Sequence, residues 1–198
     1  MHVYMWMSKL STACCALRML KQNILIMVYC THFLSLMNYG IIFWGNASYS
    51  NKVFKLKKRV VRIITGSVSS NSCHDLFKNL NILTLPSQYM FLLLCFVITP
   101  FYQYMFNSEI HRRNARQITN FHQPISNLSL YKKGILNMGI KSNNHLPSFI
   151  KRALDNSNKF KSLLRNILYF NPLCKLDEYL NHNTSSWWLY ISILAIAV

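Results

Sequence analysis

Ser50-Asn-Lys-Val-Phe-Lys-Leu-Lys-Lys-Arg-Val-Val-Arg-Ile-Ile-Thr-Gly66 is the stretch on which the fold of this chain turns. Val53, Leu56, Val60 and Ile63/Ile64 recur at helical spacing and define one apolar face. Lys52, Lys55, Lys57, Lys58, Arg59 and Arg62 occupy most of the remaining surface. Ser50 is the expected N-cap of a helix from Asn51 to Thr65, and Gly66 is the expected stop. Six cations fall within eleven residues and no acid lies among them. A solvated amphipathic face ordinarily interleaves Glu with Lys. Without the acids, three readings stand side by side. The face contacts phosphates, releasing a counterion for each neutralised charge. It lies on an anionic membrane. Or it is only solvated.

The whole chain shares this bias. Its 198 residues suffice for one domain or two very small ones. It carries 22 Lys+Arg against 5 Asp+Glu, a formal charge of +17. Hydrophobic residues make up 52% and charged residues 14%. So apolar a chain is not a disordered basic tail. So one-sided a charge is not an ordinary mixed-sign enzyme surface. What remains is a nucleic-acid-binding fragment with a core, or a small basic membrane protein.

Outward from the basic helix, the pattern is mainly α with irregular loops. Residues 9–37 read as one helix, with Leu10, Ala13, Leu17, Leu20, Leu25, Met27 and Val28 near helical spacing. Asn38-Tyr-Gly40 punctuates, and Ile41–Trp44 is a short apolar run. A helix follows from Ser72 to Leu80, then a turn over Asn81–Pro86, then an apolar helix over 88–98 capped by Ser87. Residues 107–130 are polar and basic and read as loop, with Arg112, Arg113 and Arg116 as a second cationic patch. Tyr131–Ile140 reads as strand or short helix, and helices are expected over 148–154 and 158–170. The expected organisation is a helical region 1–100, a basic linker 101–130, a small helical region 131–182 and an apolar tail 183–198. Tyr49, Phe54 and Phe121 flank the cationic patches. They suit base stacking or ordinary packing.

The inventory of reactive groups is thin. The acids are Asp75, Glu109, Asp155, Asp177 and Glu178. Only the last two are neighbours in sequence, and adjacent side chains point apart. No converging carboxylates for a two-metal site can be assembled locally. The six Cys form no CxxC and no zinc spacing with His, and they read as single thiols. No Gly-rich phosphate loop exists. No catalytic residue, metal ligand or cofactor is expected. Two charge-free stretches, Gln22–Asn51 and Asn79–Ser108, match a bilayer in length. The dense apolar run 89–98 is short for a span and meets Pro100, and the apolar run 187–198 is shorter than a span. Membrane contact through 89–98 and 187–198 is the alternative these runs offer. No signal peptide is expected, since Met1–Trp6 lacks a basic leader before an apolar stretch. A soluble chain would then reside in the nucleus or cytoplasm.

Met37-Asn-Tyr-Gly-Ile-Ile-Phe-Trp-Gly-Asn46, followed by Lys52–Gly66, resembles the C-terminal part of jockey-like non-LTR (LINE-type) retrotransposon reverse transcriptases. The likeness continues in order through Ser72–Leu83, Leu85–Tyr89, Asn107–His111, Asn114–Gln117, Tyr131–Gly134, Gly139–Lys141, His145–Ser148 and Leu176–Tyr179. The resemblance implies a helical, thumb-like and distal C-terminal region that holds a template–primer duplex of RNA or DNA. It implies RNA-directed DNA polymerase ancestry. The palm's Ala-Asp-Asp signature does not occur in the chain. Catalysis is therefore not expected, and Mg would serve only the full-length enzyme, whose palm becomes an implied partner. The chain departs from the family around Lys21–Ile24, over 99–106 and in its tail. These departures imply a truncated fragment, or an element relic without function.

Overall fold

The computed structural model describes residues 2–19, 22–67, 72–98, 105, 107–110, 120–154 and 156–181. Among these, regular structure is helical and no strand occurs, as the mainly α reading expected. The chain divides into two compact units, Met1–Leu85 and Pro86–Val198. The tail 183–198 and the patch Arg112, Arg113 and Arg116 lie outside the described residues.

The first unit opens with α1 (His2–Arg18) and α2 (Gln22–Val28). The chain then winds through a π-helical segment, Tyr29–Phe33, into α3 (Leu34–Asn38). The single helix expected over 9–37 is therefore interrupted near Met19 and widened at Tyr29. The widening has a packing reason. Leu25, Tyr29, Phe33 and Met37 repeat every four residues and all are buried. In a regular α-helix a four-residue repeat drifts around the axis by about 40° per step. The wider turn keeps the four side chains on one face. Tyr29 and Phe33 stack with centroids 5.7 Å apart. Of the residues grouped on this face from sequence, Met27 is exposed.

A turn through Gly40, in the left-handed conformation at φ 63°, leads to α4 (Ile41–Trp44). Next comes α5 (Ser50–Thr65), then α6 (Cys73–Asn79). Ser50 makes no cap; Tyr49 before it is already helical, and no side chain closes this end. The other end closes on Gly66, at φ 63°. Its N–H and that of Ser67 turn back to the carbonyls of Ile63 and Arg62, the latter at 3.1 Å. Only glycine adopts this backbone without strain. α5 packs against α1, α2 and α6. Leu10 and Leu17 of α1 meet an inward stripe of Val53, Phe54, Val60, Val61 and Ile64, and Phe54 reaches Phe77 of α6 at 6.2 Å between centroids.

The second unit is centred on α7 (Leu85–Val97), with Pro86 in its first turn where no N–H is needed. Ser87 is no cap. It is buried inside the helix, and its Oγ accepts the Leu173 N–H at 3.0 Å. The short helices α8 (Asn107–Ile110) and α9 (Ser129–Lys132) precede α10 (Ile135–Asn144). The strand-or-helix ambiguity over 131–140 thus resolves as helix. α11 (Ser148–Lys151), α12 (Ser157–Phe170) and α13 (Leu176–Asn181) complete the unit. Asn156 caps α12 by accepting the Lys159 N–H at 3.1 Å.

The apolar run 89–98 is the core helix of this unit. Tyr89, Met90, Leu93, Leu94 and Val97 are buried, as are Phe160, Leu164, Ile167 and Leu168 of α12, and Arg165 of α12 lies 5.0 Å over the Phe91 ring. α10 approaches so closely at Gly139 that an added Cβ would lie 2.5 Å from Val97 Cγ2. Among the described residues no helix is long and apolar enough to cross a membrane. The loop before α10 is tied down by paired bonds between Asn144 and the Phe121 backbone, 2.8 and 2.9 Å. Lys151 Nζ adds a bond to Asn120 at 2.9 Å.

Candidate nucleic-acid interface

The cations of α5 do not act as one set. Burial of α5 against α1 and α6 centres its inward arc on position 57, not 56. Lys57 is 0% exposed, in the middle of the apolar stripe. Burial alone pushes its ammonium down to about 7. Lys57 therefore leaves the group of surface cations to which its charge assigned it. Leu56 and Ile63, expected inside, flank the stripe half-buried.

Lys52, Lys55 and Arg59 are exposed, and Lys58 and Arg62 are half-buried. Lys55, Lys58, Arg59 and Arg62 line a cleft of about 520 Å³ together with Arg18, the last residue of α1. Ile63, Gly66 and Ser67 form its end, and no acid lines it. Arg18 is a site residue that sequence reasoning missed. It lies 37 residues before Lys55 in the chain, and only packing of α1 on α5 joins them. The buried thiol of Cys14 senses the same convergence. Burial raises its pKa, while the nearby Arg59 and Arg18 lower it.

The cleft is partly preorganised. Lys58 Nζ sits 4.3 Å over the Phe54 ring, which fixes its stem against the core. Phe54 is thereby a packing residue, buried and paired with Phe77, and does not offer a face for stacking. Arg62 Nε is buried with no hydrogen-bond partner. Such an orphan donor costs stability until an acceptor reaches it. The site also lies at the carboxyl ends of α1 and α5. There the helix dipoles favour the cations themselves. An anion here is bound by side chains, not by backbone N–H groups.

Phe121, also considered for stacking, is half-buried and held through its backbone by Asn144. Tyr49 lines a different cavity at the amino end of α5. No cluster of three metal-ligating side chains occurs among the described residues. No protein-family model matches the chain, and no curated protein or solved structure matches it.

Proposed function

We propose that this chain is a non-catalytic nucleic-acid-binding fragment of a retrotransposon RNA-directed DNA polymerase, distal to the polymerase palm. Its ligand is the backbone of an RNA or DNA template–primer duplex. The observation that carries the reading is the acid-free cleft formed by Arg18, Lys55, Lys58, Arg59 and Arg62. Five cations on two packed helices set up a field, and among the described residues no carboxylate lines the cleft to cancel it. Phosphate oxygens relieve that self-repulsion. Lys52 extends the surface along α5. The family reading rests on the ordered sequence blocks from Met37 to Tyr179, and the non-catalytic reading on the absence of the palm's Ala-Asp-Asp signature from this sequence.

The reading requires binding without base readout, because every contact is to phosphate. The test is equilibrium binding of the purified chain to RNA–DNA hybrid duplexes of unrelated sequence, followed by anisotropy. Duplexes of different sequence should bind with similar affinity. Replacing Lys55, Lys58, Arg59 and Arg62 together by Gln should weaken all of them alike. Unchanged binding by the quadruple variant refutes the cleft as the interface.

A further inference from the structure

In the second unit, the segment leading into α10 holds apolar side chains out in water at fixed positions. The side chain of Asn137, buried near the start of α10, bonds to this segment twice. Its Oδ1 accepts from Gln123 Nε2 at 2.6 Å, and its Nδ2 donates to Ser126 Oγ at 2.9 Å. Between these two anchors lie only Pro124, whose ring fixes φ, and Ile125, which is 95% exposed. The aliphatic side chain is clamped into solvent. The next turn repeats the pattern. Leu128 precedes α9, the Lys132 N–H donates to the Leu128 carbonyl at 3.2 Å, and Leu128 and Tyr131 are both more than half exposed. Three residues of chain span at most about 11 Å, so Ile125 and Leu128 belong to one patch. Leu136, half exposed, precedes Asn137 as Ile125 precedes Ser126, and the two flank the Asn137–Ser126 bond. Exposed apolar residues scattered singly are ordinary. Four large ones within the twelve residues 125–136, tied to one buried amide, are not scattered.

Charge and shape specify what covers the patch. Lys132 and Lys133 are exposed within it, and the sequence over 120–154 contains no Asp or Glu. The complementary surface is anionic. The groups that project are mostly aliphatic. Isoleucine and leucine offer no face on which a nucleobase stacks, whereas hydrocarbon receives them readily. A side chain 95% exposed between two anchors projects into its partner and does not line a groove for one. Aliphatic tips, a tyrosine and neighbouring lysines suit the boundary between acyl chains and anionic headgroups.

We infer that the segment 123–136 rests on an anionic lipid surface, with Ile125 and Leu128 in the acyl boundary, Tyr131 at headgroup level and Lys132 and Lys133 against the lipid phosphates. The contact is peripheral, made by side chains on one surface of the second unit, and it crosses no bilayer. It does not draw on the phosphate cleft of α1 and α5, which belongs to the first unit.

The test is co-sedimentation of the full chain, at physiological salt, with vesicles of phosphatidylcholine and phosphatidylserine in equal parts and with vesicles of phosphatidylcholine alone. Headgroup phosphates can also meet the α5 cations. Each variant is therefore made both in the unaltered chain and together with the Lys55, Lys58, Arg59 and Arg62 to Gln replacements. Ile125→Ser with Leu128→Ser should weaken binding to the mixed vesicles about ten-fold or more in both backgrounds. Ile125→Leu, which keeps the aliphatic tip, should leave binding unchanged. Lys132→Gln and Lys133→Gln should each cost about five-fold on the mixed vesicles and little on phosphatidylcholine alone. All four positions are exposed, so thermal unfolding should be the same in every variant. Binding to the mixed vesicles that the two Ser replacements leave undiminished overturns the proposal. So does a dimer, seen by sedimentation equilibrium without vesicles, that the same replacements dissociate; the patch would then cover a second copy of this chain. A loss of RNA–DNA duplex binding in the Ser variant would assign it to nucleic acid instead. Failure of vesicle binding leaves duplex binding by the cleft intact, so the two proposals fall separately.

Discussion

Replacing Lys57 by Met should stabilise the protein at neutral pH and remove a pH dependence that the unaltered chain shows. Lys57 is fully buried on the inward stripe of α5, and its pKa falls from 10.5 to about 7. Between those values the unfolded chain binds a proton that the folded chain does not. Stability therefore rises with pH through this window, and the contribution is flat below about 7. Well above the folded pKa the slope approaches about 1.4 kcal/mol per pH unit. From pH 7.0 to 8.5 it integrates to about 1.5 kcal/mol, because at the lower end Lys57 is already half neutral. Above pH 8.5 the cysteines intrude. Burial raises the thiol pKa of Cys14 and Cys95, so their contribution falls as the unfolded thiols ionise. The comparison therefore belongs below that pH. Met matches the length of the lysine stem and completes the apolar stripe. Urea unfolding followed by far-ultraviolet circular dichroism at the two pH values measures it. The stability advantage of the Met variant should shrink by about 1.5 kcal/mol as pH rises. An advantage independent of pH would show that Lys57 faces solvent. The inward arc of α5 would then be rotated, and Lys57 would return to the phosphate-binding set.

Other consequences concern the second unit. Gly139→Ala should destabilise it by about 1–3 kcal/mol through overpacking, because the new Cβ would lie 2.5 Å from Val97 Cγ2. Adding Val97→Ala should return part of that loss, a coupling that thermal unfolding of the double mutant measures. Ser87→Ala removes the acceptor of the buried Leu173 N–H and should cost about 1–3 kcal/mol. Hydrogen exchange should show the Leu173 amide losing protection first; unchanged protection would mean that this bond contributes nothing.

Helices were legible where period and punctuation agreed. The basic helix was located to within a residue because its apolar spacing and Gly66 both speak locally. The helix ending at Phe170 was equally clear, since Asn171-Pro172 cannot continue it. What escaped was decided by contacts between distant residues. Lys57 looked like a surface cation because lysine is almost never fully buried. Its place in the stripe follows only from where α1 and α6 press on α5. Ser50 and Ser87 both looked like caps, yet one makes no cap bond and the other serves Leu173 from a distance. By contrast, the run 89–98 was marked as core by its shortness and by Pro100, and the burial of Tyr89, Met90, Leu93, Leu94 and Val97 agrees. Arg18 had no signal of its own. It joined the cleft through the packing of α1, a tertiary event that local spacing does not record.

The central claim is that backbone phosphates fill the cleft of α1 and α5. The salt dependence of duplex binding tests it most directly. If Arg18, Lys55, Lys58, Arg59 and Arg62 each neutralise one phosphate, the logarithm of the binding constant should fall with the logarithm of salt at a slope of about −4.5. That is a loss of about 500-fold between 50 and 200 mM salt. A slope near zero, or one that the Lys55, Lys58, Arg59 and Arg62 to Gln replacements leave unchanged, would contradict the claim.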